Sequence, residues 1–591
     1  MRHFVPALAA LLVGSPVAAQ DPIPLAPGQV HESVLDGAVM VYSVASPGGE
    51  LVAARADQHG LDVQITVVAP DGSTVRRVDA PNGAWGPEAI LFDAATAGTY
   101  RLEVRRADDA SYAADGEEMR GHAEAASFSM RLLSRRAWSS SPDQRAQQLL
   151  NAWVDASEWE GAPGAVAAVV RGGEPIASAA HGLANLELGV PLGPDTALDI
   201  GSVSKQFTDF AILLLAQRGR LGLDDDIREY LPEVPDFGTA ITIRHLVHHM
   251  SGLREIYGSL ALAGWQAGDG IAQSDALALV SRLKELNFEP GSEYLYCNTG
   301  YMLLADIVGR VSGKPFADFM EDEVFGPLGM DHTEIMSEKG QVMWGAAESY
   351  DPRPHSGWSR VYDNSGIQGA GGIYTTIGDL ARWLHNFDTG EVGGADAFRQ
   401  MQQRGVLSNG DTLNYGFGIN VTTARGVRTI AHGGSSAGYR ASLTYLPDYD
   451  IGVVTQANSP AAVPRALVGM LLEAMLGDEL EPLEPRASDE DARDDSEAEP
   501  SWTPSVAELV AFEGMYFSAE LEAVYTLRVE EGVLQAWHVR HGVLDMTPSE
   551  EGVFTAPYPL VSVHMERDSF GRVSGFRATN GRVRNLLFER R

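Results

Sequence analysis

Ile200-Gly201-Ser202-Val203-Ser204-Lys205-Gln206-Phe207-Thr208 places a Ser-x-x-Lys step at the start of an apolar run that continues to Ala216. The run reads as a buried helix, and residues three apart share a helix face. That spacing sets the Lys205 amine beside the Ser202 hydroxyl. A hydroxyl attacks a carbonyl only when a neighbour accepts its proton, and a desolvated lysine amine can do so. Arginine cannot, because it stays protonated in proteins. The chain holds four lysines, Lys205, Lys284, Lys314 and Lys339, against forty arginines in a Lys+Arg total of 44. An amine at position 205 is therefore out of keeping with the chain's own habit. Ser-x-x-Lys is nonetheless a common tetrapeptide, and a fortuitous match at a helix start is the competing reading.

Three other islands lie downstream. Tyr294-Leu295-Tyr296-Cys297-Asn298-Thr299-Gly300-Tyr301 follows the turn Glu289-Pro290-Gly291. A tyrosine oxygen near a serine and a lysine can relay protons, and an asparagine two residues on can bond both a lysine and a substrate amide. A structural tyrosine is the bland alternative. Ile430-Ala431-His432-Gly433-Gly434-Ser435-Ser436 leads into an alternating strand, Ala441–Leu446. Its glycines allow close backbone approach, and His432 is expected to aim a donor at a substrate carboxylate or carbonyl. Gly366–Thr376 is rich in glycine but follows no strand of a βαβ unit, which excludes a dinucleotide loop.

In this order the islands resemble the serine β-lactamase and penicillin-binding-protein superfamily, in its class C-like branch with D-aminopeptidases and family VIII-type esterases. Leu246-Val247-His248-His249-Met250-Ser251-Gly252-Leu253 and Pro327-Leu328-Gly329-Met330 belong to the same resemblance, which covers roughly residues 145–477. It implies Ser202 as nucleophile, Lys205 as its proton partner and Tyr296 as general base and later acid. It makes Asn298, His432, Gly434 and Ser435 the substrate-binding set, with backbone N–H groups of Ser202 and Ser435 as the oxyanion hole. The implied fold is an antiparallel sheet flanked by helices plus an all-helical lobe. Two positions depart from the pattern. Cys297 stands where serine is usual and reads as a small side chain facing away. His432 stands where many β-lactamases carry lysine, which turns the expectation from β-lactams towards D-amino-acid peptides or esters. A β-lactamase, or a penicillin-recognising sensor that acylates without turnover, is the alternative.

The rest of the chain bounds this reading. With 591 residues it is too long for one core. The formal charge of -36 argues against nucleic acid and anionic lipid as partners. Arg2 and His3 before the apolar Phe4–Val13 stretch, with Val17-Ala18-Ala19 following, form a signal-peptide pattern over residues 1–19 and imply a periplasmic or secreted protein. The single cysteine excludes an internal disulfide. Alternating segments at 61–67, 98–104 and 128–132 mark an accessory β-sandwich over 20–137. The hydrolase domain spans 138–477, opened by Ser141-Pro142-Asp143 as a helix entry. Residues 478–500 are an acidic linker, and evenly spaced strands over 501–591 mark an antiparallel β-barrel similar to the lipocalin-like domains appended to some members of this branch. Its deletion is expected to widen substrate choice. His245, His248 and His249 have helical spacing for a metal, but the matching family segment carries histidine without metal. No metal, no cofactor and no membrane insertion are expected. The substrate is a small molecule or short peptide, and the oligomeric state is left open.

Overall fold

The apolar stretch Ala165–Val170 is buried on both faces, which is what a central strand flanked by helices requires. In the computed structural model, which describes residues 21–35, 39–107, 126–266, 268–353, 357–462, 467–481 and 501–591, that strand lies inside a six-stranded antiparallel sheet. The strand order is Glu174–His181, Ala165–Arg171, Ile451–Ala457, Tyr439–Leu446, Val427–Ser436 and Asn420–Ala424. Alternate residues face opposite ways. Ala165, Ala167 and Val169 pack with Trp153 and Leu471, from the helices Pro142–Ser157 and Leu467–Leu476. Val166, Ala168 and Val170 pack into the larger core with Phe207, Phe210 and Trp383. Phe207 and Phe210 stand on Lys205–Gln217, where Lys205 through Leu215 are all buried. A helix apolar all round has to be internal, and this one runs between the sheet and the helical lobe that contains Asn298–Ser312.

Two β domains flank this centre. The first is a sandwich of a five-stranded and a four-stranded sheet, closed over Tyr42, Phe92, Tyr100 and Phe128. It rests on the back of the central sheet, where Leu51, Ala53 and Leu91 join the cluster of Trp153. The last eight strands, from Gly514–Ser518 to Val583–Arg590, pair in sequence order and close into an up-and-down barrel. Closure removes the exposed sheet edges of an open sheet. The segment expected to be a signal peptide and residues 482–500 of the expected acidic linker fall outside the described residues. No described helix is long and apolar enough to cross a membrane.

Candidate active site

Ser202 lies in a single 3₁₀ turn, Gly201–Ser204, that runs directly into the Lys205–Gln217 helix. The turn is wedged against the end of strand Val427–Ser436. A Cβ on Gly434 would sit 1.9 Å from the Ile200 carbonyl oxygen, and one on Gly201 (φ 49°) would meet the Ser435 nitrogen at 2.6 Å. Only two glycines permit that approach, which brings the Ser435 backbone beside Ser202. Both N–H groups expected to form an oxyanion hole therefore belong to neighbouring backbones.

Lys205 is fully buried, and its Nζ has three partners: Ser202 Oγ at 3.0 Å, Asn298 Oδ1 at 2.8 Å and the Ala370 carbonyl at 2.7 Å. Desolvation brings the amine down to about 7, against the opposing pull of Glu255, and the Arg582 charge lowers it further. A neutral amine has two N–H bonds and one lone pair. Asn298 Oδ1 and Ala370 O can only accept, so in the neutral amine they take its two N–H bonds and leave its lone pair for the Ser202 hydroxyl, whereas in the protonated amine the third N–H donates to Ser202 Oγ. The Asn298 orientation is fixed independently, because its Nδ2 donates to Glu255 Oε1 at 2.8 Å. Glu255, 2% exposed, is held in turn by the Gly258 N–H at 2.7 Å.

Tyr296 completes the group. The Lys205 Nζ sits 4.9 Å from its ring centroid. Its hydroxyl is buried and makes no hydrogen bond. Burial pushes the phenol well up, with the nearby Ser202 hydroxyl and the Arg582 charge opposing, so it carries its proton at neutral pH. His249 stacks on the Tyr296 ring at 4.2 Å, and its Nδ1 accepts the Cys297 N–H at 3.0 Å. Cys297 Sγ points instead to the Leu253 carbonyl, 3.4 Å away, and burial pushes the thiol up to about 11. A thiol in that state is a poor nucleophile.

His432 differs from its expected use. Its Nδ1–H donates to the Gly433 carbonyl at 2.7 Å, which leaves Nε2 to accept from the Tyr415 hydroxyl at 3.0 Å. Burial lowers the ring to about 4, so it is neutral. Both nitrogens are committed, and none is left to donate to a substrate carboxylate. The three histidines at 245, 248 and 249 also diverge. The His245 side chain closes the N-terminus of helix Ile243–Val247, His248 packs edge-on against Phe417, and only His249 (φ 58°) turns towards Tyr296.

Sequence reasoning did not find Glu255, Ala370, His249 or Tyr415. Ala370 lies in the glycine-rich run 369–376, which is no dinucleotide loop but part of the family resemblance, and it serves the site through one carbonyl. His249 was visible only as part of the segment 246–253 and of the histidine cluster, and Glu255 and Tyr415 have no local signature, because their contacts join residues far apart in the chain.

A cavity of about 190 Å³ lies elsewhere, between the N-terminal sandwich and the back of the central sheet, lined by Trp153, Trp159, Trp358 and His181. None of the Ser202 group borders it.

The β-lactamase family model matches residues 150–472, and the chain belongs to that family of serine hydrolases. D-aminopeptidase from Brucella anthropi is 31% identical over 296 residues, 50% of this chain and 56% of that protein. D-aminopeptidase from a Cereibacter sphaeroides strain is 31% identical over 317 residues, 54% of this chain and 60% of that protein. The chain thus spans somewhat over half the length of the curated relatives it matches. Among solved structures, the octameric penicillin-binding protein homologue from Pyrococcus abyssi aligns at 21% identity with a TM-score of 0.49, covering 72% of this chain and 95% of that one.

Proposed function

We propose that the protein is an exported hydrolase that cleaves the amide bond of a D-amino-acid peptide, or a related ester, through an acyl-enzyme on Ser202. The carrying observation is the buried Lys205 Nζ, 3.0 Å from Ser202 Oγ and bonded to two groups that can only accept, so that its neutral form turns a lone pair to that hydroxyl. As Ser202 Oγ bonds to the substrate carbonyl carbon, its proton passes to Lys205 Nζ. The carbonyl oxygen becomes an oxyanion facing the N–H groups of Ser202 and Ser435, each worth about 3 kcal/mol in such sites. When the C–N bond breaks, the leaving nitrogen takes a proton from the Tyr296 hydroxyl, and Lys205 returns one to Tyr296. Water then attacks the acyl group by the same relay, releasing the acid and free Ser202.

The D-amino-acid assignment draws on the D-aminopeptidase relatives and on the neutral His432, which offers no cation to a β-lactam carboxylate. Export draws on the pattern of residues 2–19. A panel of p-nitrophenyl esters, D-alanyl p-nitroanilide and nitrocefin tests the reading. Wild type is expected to turn over esters and the anilide well above nitrocefin, and Ser202→Ala to lose all of it by about 10⁴-fold or more. A stoichiometric burst with no steady state would instead identify a sensor.

A further inference from the structure

The barrel reaches the active site through one residue. Arg582, in the turn between strands Val573–Asn580 and Val583–Arg590, is half-buried with its guanidinium 5.5 Å from the Tyr296 ring centroid. The turn is clamped to the hydrolase domain. Asn287 Nδ2 donates to the Arg582 carbonyl at 2.9 Å, and Asn287 Oδ1 accepts the Arg584 N–H at 2.9 Å. The guanidinium itself makes one long hydrogen bond, 3.4 Å to the Tyr296 carbonyl.

Its neighbours across this interface are all ion-paired: Arg540 with Asp269, Arg577 with Glu285, Arg584 with Glu293 and Arg254 with Glu520. Arg582 has no carboxylate partner among the described residues, in a chain with 80 acidic residues against 44 Lys and Arg. A guanidinium has five N–H donors arranged to fit a carboxylate. Apart from the long bond to the Tyr296 carbonyl, the N–H donors of Arg582 have no hydrogen-bond partner among the described residues, and they lie beside the group proposed to protonate the leaving nitrogen. In an amino acid released by amide cleavage, the carboxylate is two bonds from that nitrogen.

We infer that Arg582 binds the free carboxylate of the leaving amino acid, so that the preferred substrate is a short peptide ending one residue beyond the scissile bond. This rests on the role proposed for Tyr296 and sharpens it. The barrel then supplies part of the substrate site, which goes further than narrowing its mouth.

The test uses the full-length Ser202→Ala protein, which cannot consume the probe. Binding of D-alanyl-D-alanine and of its C-terminal amide is measured by calorimetry, together with the L,L pair. The free acid of the accepted series is expected to bind about tenfold tighter than its amide, a difference of one charge-assisted contact at a half-exposed site. Adding Arg582→Gln should abolish that preference, and Arg582→Lys should keep part of it. Equal binding of acid and amide, equal weakening of both by Arg582→Gln, or no binding of either overturns the assignment. Ester turnover by wild type, measured alongside, separates the two levels. If it is absent the hydrolase reading fails, and if it is present the failure belongs to Arg582 alone.

Discussion

The N-terminal sandwich and the C-terminal barrel are both β domains attached to the same hydrolase, yet they are joined to it differently. The sandwich lies against the helix Pro142–Ser157 through small apolar residues, and Gly86 fits under the Trp159 ring. Among the described residues it sends no side chain to the Ser202 group. The barrel shares a continuous apolar core with the helical lobe and buries Arg254 (0% side-chain exposure) against Glu520 (5%). It also hydrogen-bonds the lobe's backbone, with Tyr525 donating to the Leu262 carbonyl at 3.1 Å and His541 bonding the Ala261 carbonyl at 2.8 Å. The sandwich also makes polar contacts, Arg76 with Glu473 at 3.7 Å and Arg55 with the Glu158 carbonyl, but these lie on the back of the sheet, whereas the barrel completes a fully buried ion pair and reaches Tyr296. Deleting residues 501–591 would leave the Arg254 charge without Glu520 and expose core, so a truncation confuses selectivity with stability. Point substitutions separate them.

The largest expected contrast is in stability. Glu520→Ala leaves the buried Arg254 guanidinium with only the longer contact to Glu285 at 3.5 Å and should cost about 3 kcal/mol, read as a lowered midpoint in urea unfolding of the hydrolase transition. The same measurement on Asp57→Ala, which removes the more open pairing with Arg55 and Arg131 in the sandwich, should show roughly 1 kcal/mol and unchanged turnover. Equal losses would erase the distinction between the two domains.

Next in size is Lys205→Arg. The charge remains but the lone pair facing Ser202 is lost, so kcat/KM should fall by roughly 10²-fold or more. Retained activity would place the proton acceptor elsewhere.

The pH profile gives a smaller effect. Lys205 acts as the neutral amine, so kcat/KM should rise with pH through about 7. Its folded pKa lies below the unfolded value, so the unfolded chain binds more protons between about 7 and the usual lysine range. The cost of burying the amine is thus fully present below 7 and is relieved as pH rises towards that range. Stability of wild type relative to Lys205→Met should grow over that interval in urea titrations.

The smallest shift expected is in Arg582→Ala. Removing a positive neighbour should raise the acid limb of the rate profile by a few tenths of a pH unit, while sandwich substitutions leave it in place. An unmoved limb would loosen the link between barrel and site.

Much of this was legible in the sequence for physical reasons. Ser202 and Lys205 are joined by helical spacing, and Gly201 and Gly434 are demanded by contact between two backbones. The eight terminal strands follow one another, so counting them gives the barrel. The tautomer of His432 was hidden, because it depends on Tyr415, a residue 17 positions away with no visible pattern. Arg582 was hidden for a similar reason. It sits in a strand pair dense with arginine, and only the docking of the barrel distinguishes it from Arg577 and Arg584. Glu255 likewise gains its part through Asn298, across 43 positions.

The central claim is that Ser202 carries the acyl group. Rapid quench of the full-length protein with a p-nitrophenyl ester, followed by peptide mapping by mass spectrometry, tests it directly. The account predicts an acyl adduct on the peptide containing Ser202, absent in Ser202→Ala together with turnover. An adduct on Cys297, or turnover that survives in Ser202→Ala, would contradict it.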